Sequence, residues 1–244
     1  EHAASRGLAG LECLSGIPGT VGGAPVQNIG AYGQEAGETI ARIHALDRAT
    51  RQPVLLGAAD CRFGYRASIF NTTRKDRYVI LGVDFELRPG GPPRVEYADL
   101  RERFSGRTRP PDLDEVRTAV LEIRKAKGMT LDDADAGTRS AGSFFRNPVL
   151  DAEAAARVEA QARADGLLKA SEILPRYPAG AGKEKLAAAW LIERAGFRKG
   201  HRMKNAGISQ KHALALVNCG GATAQDVLDL MRSIQDRVGK VFGI

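Results

Sequence analysis

The 244-residue chain is poor in cysteine, histidine and aromatic side chains, with three Cys, four His, one Trp and only 6% Phe, Trp and Tyr together. Each shortage excludes something. Cys13, Cys61 and Cys219 are far apart, odd in number and without metal-ligand spacing. They predict free thiols in a reducing cytoplasm rather than a disulfide framework or a zinc site. Four scattered histidines likewise predict no metal centre. No apolar run approaches the roughly 20 residues a bilayer-spanning helix needs, and no segment has the layout of a signal peptide. A cytoplasmic protein without a membrane partner is expected.

What is present describes a soluble globular protein. Apolar residues make up 43% of the chain and charged ones 27%, enough length and apolar content for one large domain or two ordinary ones. The formal net charge is +7, but basic residues are interleaved with acids, as in RERFSGRTR and EIRKAKG, with few aromatics among them. That pattern argues against a nucleic-acid partner. It fits an Arg-rich surface or an anionic small-molecule substrate. The chain starts at Glu1 and stops at VFGI, just after a helical pattern, so both ends read as cut.

Strands are expected at TIARIHALD, at PVLLG and at Tyr78–Pro89, where Val79, Leu81, Val83, Phe85 and Leu87 alternate onto one face. YADLRERF reads as a short helix, and Asp112 can cap a longer one running to Gly128. The polar stretch LDDADAGTRSAG is the best boundary, giving units 1–130 and 131–244. Beyond it SFFRNPVL reads as a strand, Asp151 opens a helix and LPRYPAGAGK reads as a loop. EKLAAAWLIERAG reads as a helix and HALALVN as a strand. A last helix opens at Thr223 with Asp226 in capping-box spacing. Strands mixed with helices in both halves predict an α+β fold.

Three segments carry chemistry. SGIPGTVGGAPVQNIGAYGQE (Ser15–Glu35) holds six glycines and a single charge, its last residue. The glycines of Gly16–Gly23 can turn backbone N–H groups toward an anion such as a pyrophosphate; a tight structural turn explains them equally well. The stretch contains neither a P-loop lysine nor a Rossmann GxGxxG. RFGYRASIF (Arg62–Phe70) sets an arginine among aromatics, where it could clamp a carboxylate or be an ordinary exposed arginine beside a packed tyrosine. AGSFFRNPV (Ala141–Val149) places a serine where partial desolvation is expected. Without GxSxG or an evident His–Asp pair, a hydrolase nucleophile is poorly supported. Proton donation to a developing carbanion and a plain turn serine both remain open.

Taken together, in this order, the three segments resemble the UDP-N-acetylenolpyruvoylglucosamine reductase family of bacterial cell-wall synthesis. KLAAAWLIERAGFRKG and ISQKHALALVN extend the likeness over nearly the whole chain. The resemblance implies a partial FAD-binding domain of the vanillyl-alcohol-oxidase type, followed by an α+β substrate-binding domain. NADPH would reduce FAD, and hydride would pass to the enolpyruvyl group of UDP-N-acetylglucosamine enolpyruvate in a monomeric enzyme. By motif match Ser143 is the proton donor and Arg66 the carboxylate clamp. Gly16, Ile17, Pro18, Gly19, Thr20, Gly22, Gly23, Asn28, Gly30 and Ala31 match the flavin contacts. Tyr65, Tyr97, Lys127, Asn147 and Tyr177 match substrate contacts.

Two departures accompany the likeness. The family's first flavin subdomain would lie before Glu1, and its catalytic glutamate just beyond Ile244. An internal fragment, inactive on its own and weak in FAD binding, is therefore expected. Another flavoprotein oxidoreductase on the same scaffold, or a non-catalytic remnant, are the alternatives.

Overall fold

The computed structural model describes residues 1–244, all but the side chain of Ala136. The chain divides into two compact units, Glu1–Lys125 and Ala126–Ile244. The division falls at the end of the Leu113–Ala126 helix, a few residues ahead of the polar stretch.

The first unit is built on a three-stranded antiparallel sheet with Ile40–Asp47 in the middle, flanked by Gln52–Gly57 and Tyr78–Phe85. Alternation along the central strand turns Ile43 and Ala45 onto a core with Ala24, Ala36, Cys61, Ile69 and Phe70. The flanking strand corrects the expected alternation. His44 pairs with Gly82 and Ala45 with Ile80, so Leu81 is an extra residue bulged out of the ladder. A bulge inverts the phase of everything beyond it. Val79 and Leu81 are therefore 46% and 65% exposed, while Ile80, Val83 and Phe85 pack on the core. The strand also stops at Phe85, and Arg88–Pro89 pairs separately with Leu8–Ala9.

The helix Leu113–Ala126 starts as its sequence requires. Asp112 Oδ1 accepts the Glu115 N–H at 2.8 Å, and Glu115 Oε2 accepts the Asp112 N–H at 2.9 Å. That reciprocal pair satisfies two donors left over at a helix start. Val116 and Val120 carry the buried stripe, against Cys13, Tyr32 and Leu100.

The second unit holds two small antiparallel sheets, each of three strands. In one, Lys183–Leu186 lies between Val149–Asp151 and Arg176–Pro178; in the other, Ala206–Ile208 lies between Arg202–Met203 and Leu216–Asn218. Three helices, Ala152–Ala164, Ala188–Arg194 and Ala224–Phe242, complete it. Asp151 caps the first through the Ala154 N–H. Thr223 and Asp226 form the capping box of the last, whose Leu230 and Ile234 enter the core.

Three segments differ from their expected form. SFFRNPVL is strand only from Val149, because Pro148 has no N–H to give a ladder. EKLAAAWLIERAG opens as strand, and its helix covers only Ala188–Arg194. LPRYPAGAGK is not a free loop: Arg176–Pro178 pairs with Lys183–Leu186 as a hairpin. Both units mix helix and sheet, so the α+β class holds. Among the described residues no helix is long and apolar enough to cross a membrane.

Candidate active site

Within Ser15–Glu35 the glycines fall into two groups. Gly16 and Gly19 have φ of +73° and +114°, which side-chain-bearing residues adopt at a cost. Gly22 and Gly23 do not. A Cβ on Gly22 would meet nothing closer than the Ile80 carbonyl oxygen at 3.7 Å, and one on Gly23 only Thr20 Oγ1 at 3.5 Å. The fold does not demand glycine at either position. Thr20 Oγ1 accepts the Gly23 N–H at 3.2 Å and fixes the short turn Val21–Gly23. Among the described residues, no acceptor takes the N–H of Gly19, Thr20 or Val21. Ile17 is half-buried, whereas Pro18, Gly19 and Thr20 are exposed.

Further along, Gly30–Ala31 and Gln34–Glu35 form a hairpin. Its two turn residues, Tyr32 and Gly33, have φ of +50° and +84°, as a tight type I′ turn requires. Asn28 is 2% exposed and its amide is committed to protein. Nδ2 donates to Glu35 Oε2 at 2.8 Å and to the Gly64 carbonyl at 3.0 Å, and Oδ1 accepts the Gly37 N–H at 2.7 Å. A contact from Asn28 to a cofactor would therefore come from its main chain.

Arg66 joins this hairpin. Its backbone is left-handed, with φ of +53°, and the Asn71 amide holds its carbonyl at 3.1 Å. Nη2 donates to the Gly30 carbonyl at 2.5 Å and Nη1 to that of Asn28 at 3.4 Å. Glu35 Oε1 lies 3.9 Å from Nη1, and the guanidinium carbon is 5.3 Å from the Tyr65 ring centre. Asn28, Gly30, Tyr65 and Arg66 are thus brought together, with Glu35 bridging Asn28 and Arg66. Sequence reasoning missed Glu35, although it is the lone charge of its stretch. Tyr97 sits before the Ala98–Arg103 helix, edge-on to Tyr32 with centroids 5.3 Å apart.

In the second unit Ser143 is exposed, which corrects the expected desolvation, and Phe144 beside it is 38% exposed. Ser143 Oγ lies 3.0 Å from His212 Nε2. His212 does not begin a strand, which covers only Leu216–Asn218. It sits in a loop closed by the Ser209 N–H on the Ala215 carbonyl at 2.8 Å. Partial burial pushes its imidazole down to about 4, helped by the positive charges of Lys127 and Lys199. Asn147 Oδ1 accepts the Ala188 N–H at 3.0 Å and steadies a helix start. Tyr177 is exposed on an outer strand of its sheet. Lys127, in the turn after the long helix, is close enough to act on His212. His212 was missed because a histidine heading an apolar run reads as part of the strand.

A family model described as the C-terminal domain of UDP-N-acetylenolpyruvoylglucosamine reductase matches residues 132–244. The UDP-N-acetylenolpyruvoylglucosamine reductase of Thermobifida fusca is 48% identical over 241 residues, covering 98% of this chain and 67% of that protein. The chain belongs to the UDP-N-acetylenolpyruvoylglucosamine reductase family. The member from Mycobacterium tuberculosis H37Rv is 46% identical over 252 residues, covering all of this chain and 66% of its own length. A crystal structure of the reductase from Thermus caldophilus superimposes with a TM-score of 0.59 at 24% identity, over 96% of this chain and 63% of that one. It bears on the fold alone. The chain spans about two thirds of the length of these relatives.

Proposed function

We propose that this chain serves the reduction of UDP-N-acetylglucosamine enolpyruvate to UDP-N-acetylmuramate, in the cytoplasm, for peptidoglycan synthesis. Residues 1–130 would belong to an FAD-binding domain of the vanillyl-alcohol-oxidase type and residues 131–244 to a substrate-binding domain. One observation carries the reading. A glycine-rich backbone and a part-buried arginine share a single network, Asn28–Glu35–Arg66–Gly30. A cofactor-binding stretch and a carboxylate clamp built as one structure suit a reaction in which a cofactor acts on a carboxylate-bearing substrate.

The residues fit FAD. Gly22 and Gly23 leave a cradle where a Cβ would meet protein only at ordinary contact distance, and the neighbouring N–H groups can meet a pyrophosphate. Gly16, Ile17, Pro18, Gly19 and Thr20, with Asn28, Gly30 and Ala31 through their main chains, would hold the cofactor. The chemistry FAD supplies, once reduced by NADPH, is hydride for the terminal vinyl carbon. This chain's residues do the rest. Arg66 binds the carboxylate toward which negative charge moves. Its ties to the Gly30 and Asn28 carbonyls fix where that charge sits. Ser143 Oγ–H gives a proton to the carbon next to the carboxylate. Tyr65, Tyr97, Lys127, Asn147 and Tyr177 would hold the UDP-sugar.

Gly22→Val in the FAD-loaded enzyme tests the cofactor assignment. FAD affinity should fall at least about tenfold, equivalent to about 1.4 kcal/mol. The unfolding temperature of the apoprotein should move little, because a Cβ at this position meets protein only at ordinary contact distance. Normal FAD retention would show the assignment to be wrong.

A further inference from the structure

We infer that His212 is a positioning residue for the reaction, with its neutral ring donating Nε2–H to Ser143 Oγ so that the hydroxyl hydrogen is aimed at the substrate carbon. The inference rests on the reading of Ser143 as proton donor.

The pair is built into the backbone. The Phe144 N–H donates to the Leu214 carbonyl at 2.7 Å, tying the residue after Ser143 to the His212 loop. The Ala215 N–H donates to the His212 carbonyl at 3.1 Å, and the Ser209 N–H closes the loop on the Ala215 carbonyl at 2.8 Å. Ser209 itself is buried, and its Oγ accepts the Lys211 N–H at 3.1 Å. The Lys211 ammonium is paired with Asp135 at 2.5 Å, which anchors the other side. The 3.0 Å contact between Ser143 and His212 is thus held from both segments.

The direction of that hydrogen bond decides the chemistry. A ring accepting from Ser143 would draw the hydroxyl hydrogen away from the substrate and make the oxygen a nucleophile. A ring donating to Oγ leaves the hydrogen free to transfer. Once the terminal vinyl carbon had gained hydride, an electron pair would lie on the carbon next to the carboxylate. That pair takes the hydroxyl proton, a C–H bond forms, the O–H bond breaks, and its electrons remain on Oγ. The alkoxide is stabilised by the Nε2–H, as a fixed donor stabilises any oxyanion that develops in the transition state. Because Ser143 is exposed, a solvent proton restores the hydroxyl. Partial burial of the ring, helped by the positive charges of Lys127 and Lys199, keeps it neutral. A neutral ring can donate a hydrogen bond without competing with Ser143 as the acid.

Two measurements test this. In wild-type holoenzyme, ¹⁵N shifts of the His212 ring distinguish a protonated from a bare nitrogen. Nε2 should be protonated, and Ser143→Ala should shift its resonance; a bare Nε2, or no response to that substitution, overturns the inference. In kinetics, His212→Phe should lower kcat about 100-fold, the cost of one removed oxyanion donor, with KM within about twofold and flavin reduction by NADPH unchanged. His212→Gln, which offers an amide N–H at a similar reach, should recover much of that loss. The double variant Ser143→Ala/His212→Phe should be little worse than Ser143→Ala alone. If Ser143→Ala abolishes substrate reduction while His212→Phe turns over normally, this inference fails and the role of Ser143 stands. If Ser143→Ala turns over normally, the reading beneath both fails.

Discussion

Arg66 and Ser143 are assigned to the same substrate, yet the protein holds them in opposite ways. Arg66 sits on a left-handed backbone, its carbonyl bound by Asn71 and its guanidinium by two main-chain carbonyls, with Glu35 close by. Left-handed conformations cost a side-chain-bearing residue free energy and persist only where the surroundings over-determine them. Ser143 lies exposed, with a partly buried neutral imidazole at its hydroxyl. The difference suits the role proposed for each group. A charge that stabilises charge works best immobile, whereas a hydroxyl that loses and regains a proton needs access to water.

Removing the fixed charge should have the largest effect. Arg66→Met should cut kcat/KM for the enolpyruvyl substrate about 1,000-fold, at the upper end for loss of one electrostatic contact, while Arg66→Lys recovers only part. Steady-state kinetics check this, and near-normal turnover by the Met variant would break the contrast. Next comes the network that holds the charge. A Cβ on Gly30 would lie 2.8 Å from Arg66 Nη1, 2.8 Å from Glu35 Cγ and 3.0 Å from the Gln34 carbonyl oxygen. Gly30→Ala should therefore cost about 2 kcal/mol of stability in denaturant unfolding and reproduce part of the Arg66 defect.

The serine side should show itself in pH dependence. The His212 imidazole titrates near 4 in the folded chain, below its ordinary 6.5. As pH falls through that window the unfolded chain takes up a proton before the folded one does, so stability declines from about pH 6.5 toward pH 4. Above the window the loss is absent. His212→Gln should flatten this part of the curve of unfolding temperature against pH. The smallest effect belongs to a control outside both regions. Asp112→Ala removes a helix cap and should cost about 1 kcal/mol, leaving the kinetics untouched.

Much of this was legible in the sequence wherever the signal was local. The caps at Asp112, Asp151 and Thr223 each depend on residues within one turn, and each forms as read. The family was legible from three motifs in order. Features set by partners distant in the chain were not. The bulge at Leu81 is defined by pairing with His44 and Ala45, and a period of two cannot reveal where its phase inverts. Lys183–Leu186 becomes strand because two other strands flank it, which overrides the helical pattern it shares with the residues that follow. Glu35 and His212 acquire their meaning only from Arg66, 31 residues on, and from Ser143, 69 residues back.

The central claim is that Ser143 supplies the proton and takes no part in delivering hydride to the flavin. Stopped-flow absorbance of FAD-loaded Ser143→Ala separates the two half-reactions. NADPH should bleach the flavin at the wild-type rate, and adding UDP-N-acetylglucosamine enolpyruvate should then reoxidise it at least about 1,000-fold more slowly than in wild type, within the range for a lost general acid. Reoxidation at the wild-type rate would contradict the account.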